Sequence, residues 1–322
     1  MDAALKLRVM AATDIAERVR MIELAAVDGE LPPFTAGSHI EFTTATGLSR
    51  SYSLANDPRE RHRYVIAVLR DGPGSAWMHD EVKAGDMLEA SPPRNGFALD
   101  EAATEHVLVA GGIGITPLRS MAYHLRATGG RFRVLYCTRT PETTAFGEEL
   151  AREFGDAVTV HHDGGDLSRA ADLAALLADR PAGAHLYVCG PRGMIEAARK
   201  AAAHWPADAV HFELFASPAA PVAVEIPPAG GDVPFEVELR RSGIVIMVGA
   251  DQTILQAMLA AGVKAPHVCK EGWCGNCQLT LLEGRADHRD EVLSDDEKAA
   301  NTAIQTCISR AAPGERRLVI DR

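Results

Sequence analysis

The sequence is poor in the features that mark membrane and nucleic-acid-binding proteins. Its apolar runs are far shorter than the ~18 residues that cross a bilayer, and its first six residues lack the basic start and apolar stretch of a secretory signal. Aromatic residues are only 5%, and 33 Lys and Arg stand against 44 Asp and Glu, a formal net charge of −11. That charge opposes binding to a phosphate backbone. We expect a cytoplasmic protein that binds neither nucleic acid nor membrane.

Cysteine is scarce too, but four of the six cysteines fall in the last part of the chain: Cys269, Cys274, Cys277 and Cys307. Their spacing, C-x4-C-x2-C followed by a distant fourth cysteine, is typical of a plant-type [2Fe-2S] cluster held by four thiolates. A structural zinc ion is the alternative, although zinc sites usually pair two short C-x₂₋₄-C segments and this sequence has no cysteine close to the fourth. The pattern indicates metal binding rather than a disulfide framework.

The chain, at 322 residues, is long enough for two or three domains. Short alternating runs broken by Gly and Pro predict an antiparallel β-barrel first, and apolar strands alternating with Ala- and Leu-rich helices then predict a parallel α/β sheet. A stretch rich in Pro and Gly reads as a linker. The predicted division is 1–102 for the barrel, 103–216 for the α/β domain, 217–232 for the linker and 233–322 for the cysteine-bearing α+β domain.

The segment Arg50–Leu54, read as R-S-Y-S-L, resembles the R-x-Y-S motif with which the ferredoxin-reductase-like superfamily binds its flavin. A guanidinium suits a phosphate, and a tyrosine ring can pack along a flat heterocycle. The turn Gly72–Ser75 can offer backbone N–H groups to an anion. Taken alone, the motif also fits an ordinary strand with one surface arginine.

A second glycine-rich segment, Gly111–Pro117, follows a short apolar strand and precedes a helical pattern. It is not a G-x-G-x-x-G fingerprint, because Pro117 occupies the third glycine position. A strand, a glycine turn and a helix N-terminus still make a cradle for a pyrophosphate, with Thr116 suited to the N-cap. At the end of the next predicted strand stands Arg139 instead of the acid that would bind a ribose 2′-hydroxyl, so the choice between NADH and NADPH stays open.

With the cysteine loop in place, residues 233–322 resemble a plant-type ferredoxin domain. The whole chain resembles the phthalate dioxygenase reductase family, which includes the vanillate O-demethylase reductases. The resemblance implies a β-barrel that binds FMN, an α/β domain that binds NADH, and a β-grasp ferredoxin domain. It also implies that a Rieske non-haem iron oxygenase component is the electron acceptor.

The resemblance also assigns binding residues. Those near the flavin are Arg50, Tyr52, Ser53, Ala67, Leu69, Gly74, Ser75 and Phe215. Those near the nicotinamide nucleotide are Gly112, Gly114, Thr116, Pro117, Arg139, Cys189, Gly190 and Pro191. No side chain is expected to act as an acid or base, because the cofactors carry the chemistry.

The sequence leaves three other kinds of function open. The chain could reduce a haem monooxygenase or a soluble ferredoxin, or it could be a [2Fe-2S] redox-sensing protein. It could also be a flavin reductase whose tail is held by zinc.

Overall fold

A computed structural model describes residues 4–43, 49–215, 233–263, 265–267, 272, 275, 277–290 and 292–322. The chain divides into two units, Met1–Ser217 and Pro218–Arg322. Within the ranges just given, no helix is both long and apolar enough to cross a membrane. The boundary expected between residues 102 and 103 lies inside the first unit and stays a prediction.

Seven strands of the first unit form one antiparallel sheet: β1 (Leu5–Ala16), β2 (Val19–Ala26), β3 (Ser38–Thr43), β4 (Ser49–Ser53), β5 (Tyr64–Leu69), β6 (Met87–Ala90) and β7 (Arg94–Asn95). Buried and exposed residues alternate along β3, as a sheet with one face on a core requires. The edge strands β4 and β5 meet because the Ala55 N–H, just after β4, donates to the Val65 carbonyl at 2.8 Å. The sheet therefore curls back on itself, as a barrel does. Helix α1 (Pro73–Asp80) follows β5.

Five parallel strands form the second sheet: β8 (Glu105–Gly111), β9 (Phe132–Thr138), β10 (Val158–His162), β11 (Ala184–Cys189) and β12 (Val210–Glu213). The connecting helices are α2 (Ile115–Thr128), α3 (Gly147–Phe154), α4 (Leu173–Leu177) and α5 (Arg192–Ala201). The strand order is β10-β9-β8-β11-β12, so the order reverses between β8 and β11. Ligands of open parallel sheets bind at the carboxyl ends of the strands at such a reversal.

The two sheets of the first unit share a core. A single cluster of buried side chains includes Ala67 from β5 together with Leu108 and Cys189 from the parallel sheet. Each large apolar side chain buried there contributes about 1.5–3 kcal/mol, so the cluster stabilises the contact between the sheets. At the tip of the β1–β2 hairpin, the Glu17 N–H donates to the Glu142 carbonyl at 2.7 Å.

The second unit contains a mixed sheet of β13 (Phe235–Leu239), β14 (Ile244–Val248), β15 (Gln278–Glu283), β17 (Ala303–Gln305) and β19 (Arg317–Ile320). Strands β16 (Ala286–Asp287) and β18 (Arg310–Ala311) form a separate short ladder. The order is β14-β13-β19-β15-β17, with β13 and β19 parallel. Helix α6 (Ile254–Ala260) buries Ile254 and Met258 against this sheet. One helix packed on a mixed sheet is the predicted α+β arrangement.

Local capping explains where the helices of the second unit begin. Thr253 and Gln256 form a reciprocal capping box at α6. Ser294 and Glu297 match the S-x-x-E pattern of a capping box. They form such a box, and helix α7 (Asp295–Ala300) starts there. A cap of this kind typically contributes ~1 kcal/mol.

Candidate functional site

Arg50 and Tyr52 lie on β4 with buried polar atoms that the described residues leave unsatisfied. Arg50 Nε and the Tyr52 hydroxyl are enclosed without a hydrogen-bond partner in the described part of the chain. Burial raises the pKa of Tyr52 to about 12, so the phenol keeps its proton and can donate it in a hydrogen bond. Buried polar atoms without partners are rare and cost free energy. The two side chains therefore suit a bound group that supplies acceptors, as a flavin phosphate and ring would.

Gly74 and Ser75 are predicted to form a turn, but the structure places them in the first turn of helix α1. Pro73 at the first helical position has the φ that starts a helix. A Cβ added to Gly74 would come within 2.7 Å of Arg50 Nε, so the glycine leaves room for the guanidinium beside this helix N-terminus. The Ser75 hydroxyl accepts from the backbone N–H of Gly72 at 3.0 Å. A helix N-terminus next to an arginine is a favourable place for a phosphate.

The other expected flavin contacts fall in two places. Ser53 is buried at the end of β4, where it pairs with His39 of β3. Ala67, Leu69 and Phe215 contribute to the core cluster shared by the two sheets. The structure thus brings these three apolar residues to the boundary between the barrel and the parallel sheet.

The expected nicotinamide residues meet at the reversal of strand order. A Cβ added to Gly114 would lie 2.1 Å from the Cys189 carbonyl oxygen, and one on Gly111 would lie 2.6 Å from Pro191. The glycine segment after β8 and the Cys-Gly-Pro segment after β11 therefore touch, and only glycine permits this approach. Gly112 has φ of +54°, a conformation that favours glycine.

The start of α2 corrects one detail of the sequence prediction. Thr116 is the second residue of the helix rather than its N-cap, and its hydroxyl donates to the Ile113 carbonyl at 3.0 Å. The reason is that Gly112–Gly114 already forms a 3₁₀ turn that leads into α2. Pro117 remains in the first turn, where its missing N–H costs nothing.

Arg139 follows β9 and is exposed. The loop after β10 runs beside it, since the Gly164 N–H donates to the Arg139 carbonyl at 2.8 Å and the Asp163 N–H donates to the Thr138 carbonyl at 3.2 Å. Sequence reasoning missed Asp163, because the adjacency arises from the pairing of β9 with β10. An arginine and a carboxylate thus stand at neighbouring strand ends.

Glu213 is a second residue that the sequence analysis missed. It ends β12, paired in register with Cys189 of β11. Its Oε2 atom is enclosed and finds no hydrogen-bond partner among the described residues. Burial raises the pKa of Glu213 to about 8, so the carboxyl is protonated at neutral pH. A neutral carboxylic acid there can donate a hydrogen bond at the same strand ends as the glycine cradle.

The raised pKa of Glu213 has a consequence for stability. Since the folded pKa of about 8 exceeds the ordinary value of 4.5, stability is lost as pH rises through that window. The expected slope is about 1.4 kcal/mol per pH unit. Glu213→Gln removes the titration, so urea unfolding at pH 6, 7 and 8 should show wild type weakening relative to the variant. Parallel pH profiles of the two proteins would contradict the buried, protonated state.

Two of the four expected cluster ligands lie in the described part of the second unit. The sulfur atoms of Cys277 and Cys307 are buried and 3.1 Å apart, and the Gly272 N–H donates to Cys307 Sγ at 3.2 Å. Gly272 has φ of +76°. Cys269 and Cys274 lie outside the described residues. Two adjacent thiols with a backbone donor to sulfur suit a metal–thiolate group.

Gln305 contacts Cys277 and was not predicted. It is fully buried, and its Oε1 lies 3.2 Å from Cys277 Sγ, while its Nε2 donates to Gln278 Oε1 at 2.8 Å. Its sequence position, two residues before the fourth cysteine, was the available signal.

The fold and these sites define an iron–sulfur oxidoreductase of the flavin- and nicotinamide-dependent class. Residues 237–312 match the 2Fe-2S iron-sulfur cluster binding domain, and residues 86–210 match the N-terminal domain of dimethylamine monooxygenase subunit DmmA-like proteins. The chain is 43% identical to the phthalate 4,5-dioxygenase oxygenase reductase subunit of Pseudomonas putida, over 96% of this chain and 95% of that protein. The chain belongs to the phthalate dioxygenase reductase family.

Solved structures agree with that assignment. A phthalate dioxygenase reductase, described as a modular structure for electron transfer from pyridine nucleotides to [2Fe-2S], matches with 42% identity and a TM-score of 0.70, over all of this chain and 98% of that one. An intact type IV self-sufficient cytochrome P450 monooxygenase matches with 40% identity and a TM-score of 0.80. The match covers 99% of this chain but only 41% of the P450 chain. The predicted fold class and the [2Fe-2S] domain are confirmed.

Proposed function

We propose that this protein is the reductase component of a multicomponent Rieske-type aromatic oxygenase or O-demethylase. It takes electrons from NADH and delivers them singly through FMN and a [2Fe-2S] cluster. The proposal rests on three features that occur together in one chain. The first unit has a glycine cradle at the reversal of strand order, and it buries Arg50 Nε and the Tyr52 hydroxyl without partners among the described residues. The second unit, which matches a ferredoxin domain, has two adjacent buried thiols.

The roles proposed for these residues rest on the family resemblance, and the chemistry of the side chains supports them. When bound, a flavin accepts a two-electron hydride and releases electrons one at a time to a one-electron iron–sulfur carrier. Arg50 and the N-terminus of α1 bind the flavin phosphate, and Tyr52 donates to an acceptor of the flavin. Gly112, Gly114 and the α2 N-terminus bind the pyrophosphate, while Cys189, Gly190 and Pro191 line the nicotinamide end. Phe215 lies near the flavin, at the boundary to which Ala67 and Leu69 also belong.

Asp163 supports NADH over NADPH in this proposal. Its backbone is held beside the end of β9, where the adenosine ribose of the nucleotide belongs. A carboxylate there accepts a hydrogen bond from a ribose 2′-hydroxyl and repels a 2′-phosphate. Arg139 is exposed and can fold away from the ribose, so its charge does not by itself select NADPH.

Electron delivery to a Rieske centre is favourable. Plant-type clusters have potentials near about −400 mV and Rieske centres near about −150 mV or above. A gap of about 250 mV, at about 59 mV per decade for one electron, favours transfer by roughly four orders of magnitude. A haem monooxygenase is the second candidate acceptor, because the same three-part chain occurs within the matched P450 structure.

The test uses the purified holoprotein without oxygen. Mass spectrometry of the released flavin should give FMN, and NADH should support faster reduction of the holoprotein than NADPH. A Rieske oxygenase component of the phthalate or vanillate class should then be reduced at least tenfold faster than a bacterial cytochrome P450. Faster P450 reduction would move the assignment to the haem acceptor, and release of FAD or an NADPH preference would overturn the cofactor assignment.

A further inference from the structure

Arg119 is a buried cation that joins three segments of the first unit. It lies on α2, and its side chain is 8% exposed. Its Nη1 donates to the Ala55 carbonyl, and its Nε donates to Glu149 Oε1 of α3 at 3.0 Å. A buried charge is tolerated when it is paired and hydrogen-bonded. Here each of the three guanidinium nitrogens donates a hydrogen bond, one to Ala55 and two to Glu149.

Aromatic rings complete the Arg119 site. The guanidinium carbon lies 4.5 Å from the Phe146 ring centroid and 4.9 Å from that of Tyr123. The Tyr123 hydroxyl donates to Glu149 Oε1 at 2.5 Å. Phe146 has φ of +61°, which is unusual for a bulky residue and costs on the order of 1–3 kcal/mol. Phe146 therefore keeps this unfavourable backbone conformation while its ring lies against the Arg119 guanidinium.

The hydrogen bond from Arg119 to the Ala55 carbonyl joins two segments that carry the proposed cofactor sites. Ala55 comes two residues after Ser53. Its N–H donates to β5 and its carbonyl accepts from Arg119, so both peptide groups of this residue are held. Arg119 comes five residues after Gly114 on the helix that begins at the glycine cradle. One hydrogen bond therefore links the segment after β4 to α2, across 64 residues of sequence.

We propose that Arg119 is a positioning residue for hydride transfer, holding α2 against the chain that follows β4 at the distance and angle the transfer needs. The inference rests on the proposed function. In the transfer, the C–H bond of the reduced nicotinamide breaks, and its proton and two electrons pass together to the flavin nitrogen, where an N–H bond forms. A misplacement of about 1 Å in such a step costs about 100-fold in rate.

The experiment compares three variants of the flavin-loaded protein in anaerobic single-turnover reduction by NADH and by NADH deuterated at the transferred position. Arg119→Met removes the Ala55 bond, and Arg119→Lys keeps the charge but cannot hold Ala55 and Glu149 together. Tyr123→Phe is the matched control, because it keeps the aromatic ring beside the guanidinium and the Arg119–Ala55 bond, and loses only the hydroxyl bond to Glu149. Flavin content and thermal midpoint are measured for each protein.

We expect Arg119→Met to lower the limiting reduction rate at least about 30-fold, and Arg119→Lys about 10-fold, with an altered deuterium isotope effect. The NADH concentration for half-maximal rate should change less than about threefold, because the cradle remains. Tyr123→Phe should lower the thermal midpoint while keeping the wild-type rate and isotope effect.

Two results would overturn the proposal. The first is a Tyr123→Phe protein whose reduction rate and thermal midpoint both fall as far as those of the Arg119 variants. The second is an Arg119→Lys protein with the wild-type rate and isotope effect. If Arg119→Met does not fold, the Lys variant decides the matter. If NADH fails to reduce the wild-type flavin, the proposed function fails and not this inference.

Discussion

Cys307→Ser and Cys277→Ser proteins are expected to lose cluster-dependent electron transfer while keeping the reaction between NADH and flavin. Iron in such clusters is held by thiolates, and a serine hydroxyl is a poor substitute. Even outer partners of metal ligands affect binding or activity 10–100-fold, so the loss of a ligand should lower oxygenase or cytochrome c reduction by more than about 100-fold. Ferricyanide reduction, which can draw electrons from the flavin directly, should stay within about twofold.

Cys137→Ser is the control for that pair. Cys137 is a buried free cysteine on β9 of the first unit, and burial raises the pKa of its thiol to about 11. The variant should bind the full complement of iron and sulfide. Full cluster content and wild-type oxygenase coupling in Cys307→Ser would show that Cys307 is not a ligand.

Gly114→Ala should be the most damaging single-methyl change at the nicotinamide cradle. The added Cβ would lie 2.1 Å from the Cys189 carbonyl oxygen and 2.5 Å from its carbon, and both atoms belong to backbone that cannot turn aside. The start of α2 must therefore move away from β11 and widen the crevice. We expect kcat/KM for NADH to fall at least about 100-fold, and stability to fall by about 1–3 kcal/mol.

Gly193→Ala on α5 is the matched control, because a Cβ there meets nothing within 4 Å. It should leave kcat/KM unchanged and gain a few tenths of a kcal/mol, up to ~1 kcal/mol, from helix propensity. Steady-state kinetics with ferricyanide and the thermal midpoint of each holoprotein measure both effects. Equal activity in the two variants would mean that the contact between Gly114 and Cys189 does not shape the nucleotide site.

The local features of this protein could be predicted from its sequence, because each depends on residues close together in the chain. The Ser294–Glu297 capping box determines the start of α7, and the cysteine spacing indicates the ferredoxin domain. The alternating run at residues 38–43 becomes a strand with one buried face. The extra 3₁₀ turn before α2 was missed, because its last residue, Gly114, lies against Cys189 on another strand.

The features that could not be predicted depend on long-range pairing. Asp163 stands beside Arg139 only because β10 pairs with β9. Glu213 becomes buried only when β12 pairs with β11. The bond from Arg119 to Ala55 requires the barrel and the parallel sheet to meet. None of these residues carries a local motif that signals its partner.

An anaerobic titration of the holoprotein with NADH tests the central claim most directly. A chain that binds one flavin and one [2Fe-2S] cluster should consume about one and a half equivalents of NADH, two electrons for the flavin and one for the cluster. The flavin absorbance should bleach, and the electron paramagnetic resonance signal of a reduced cluster should appear in the same titration. An end point near one equivalent, with no cluster signal and no acid-labile sulfide, would contradict the account.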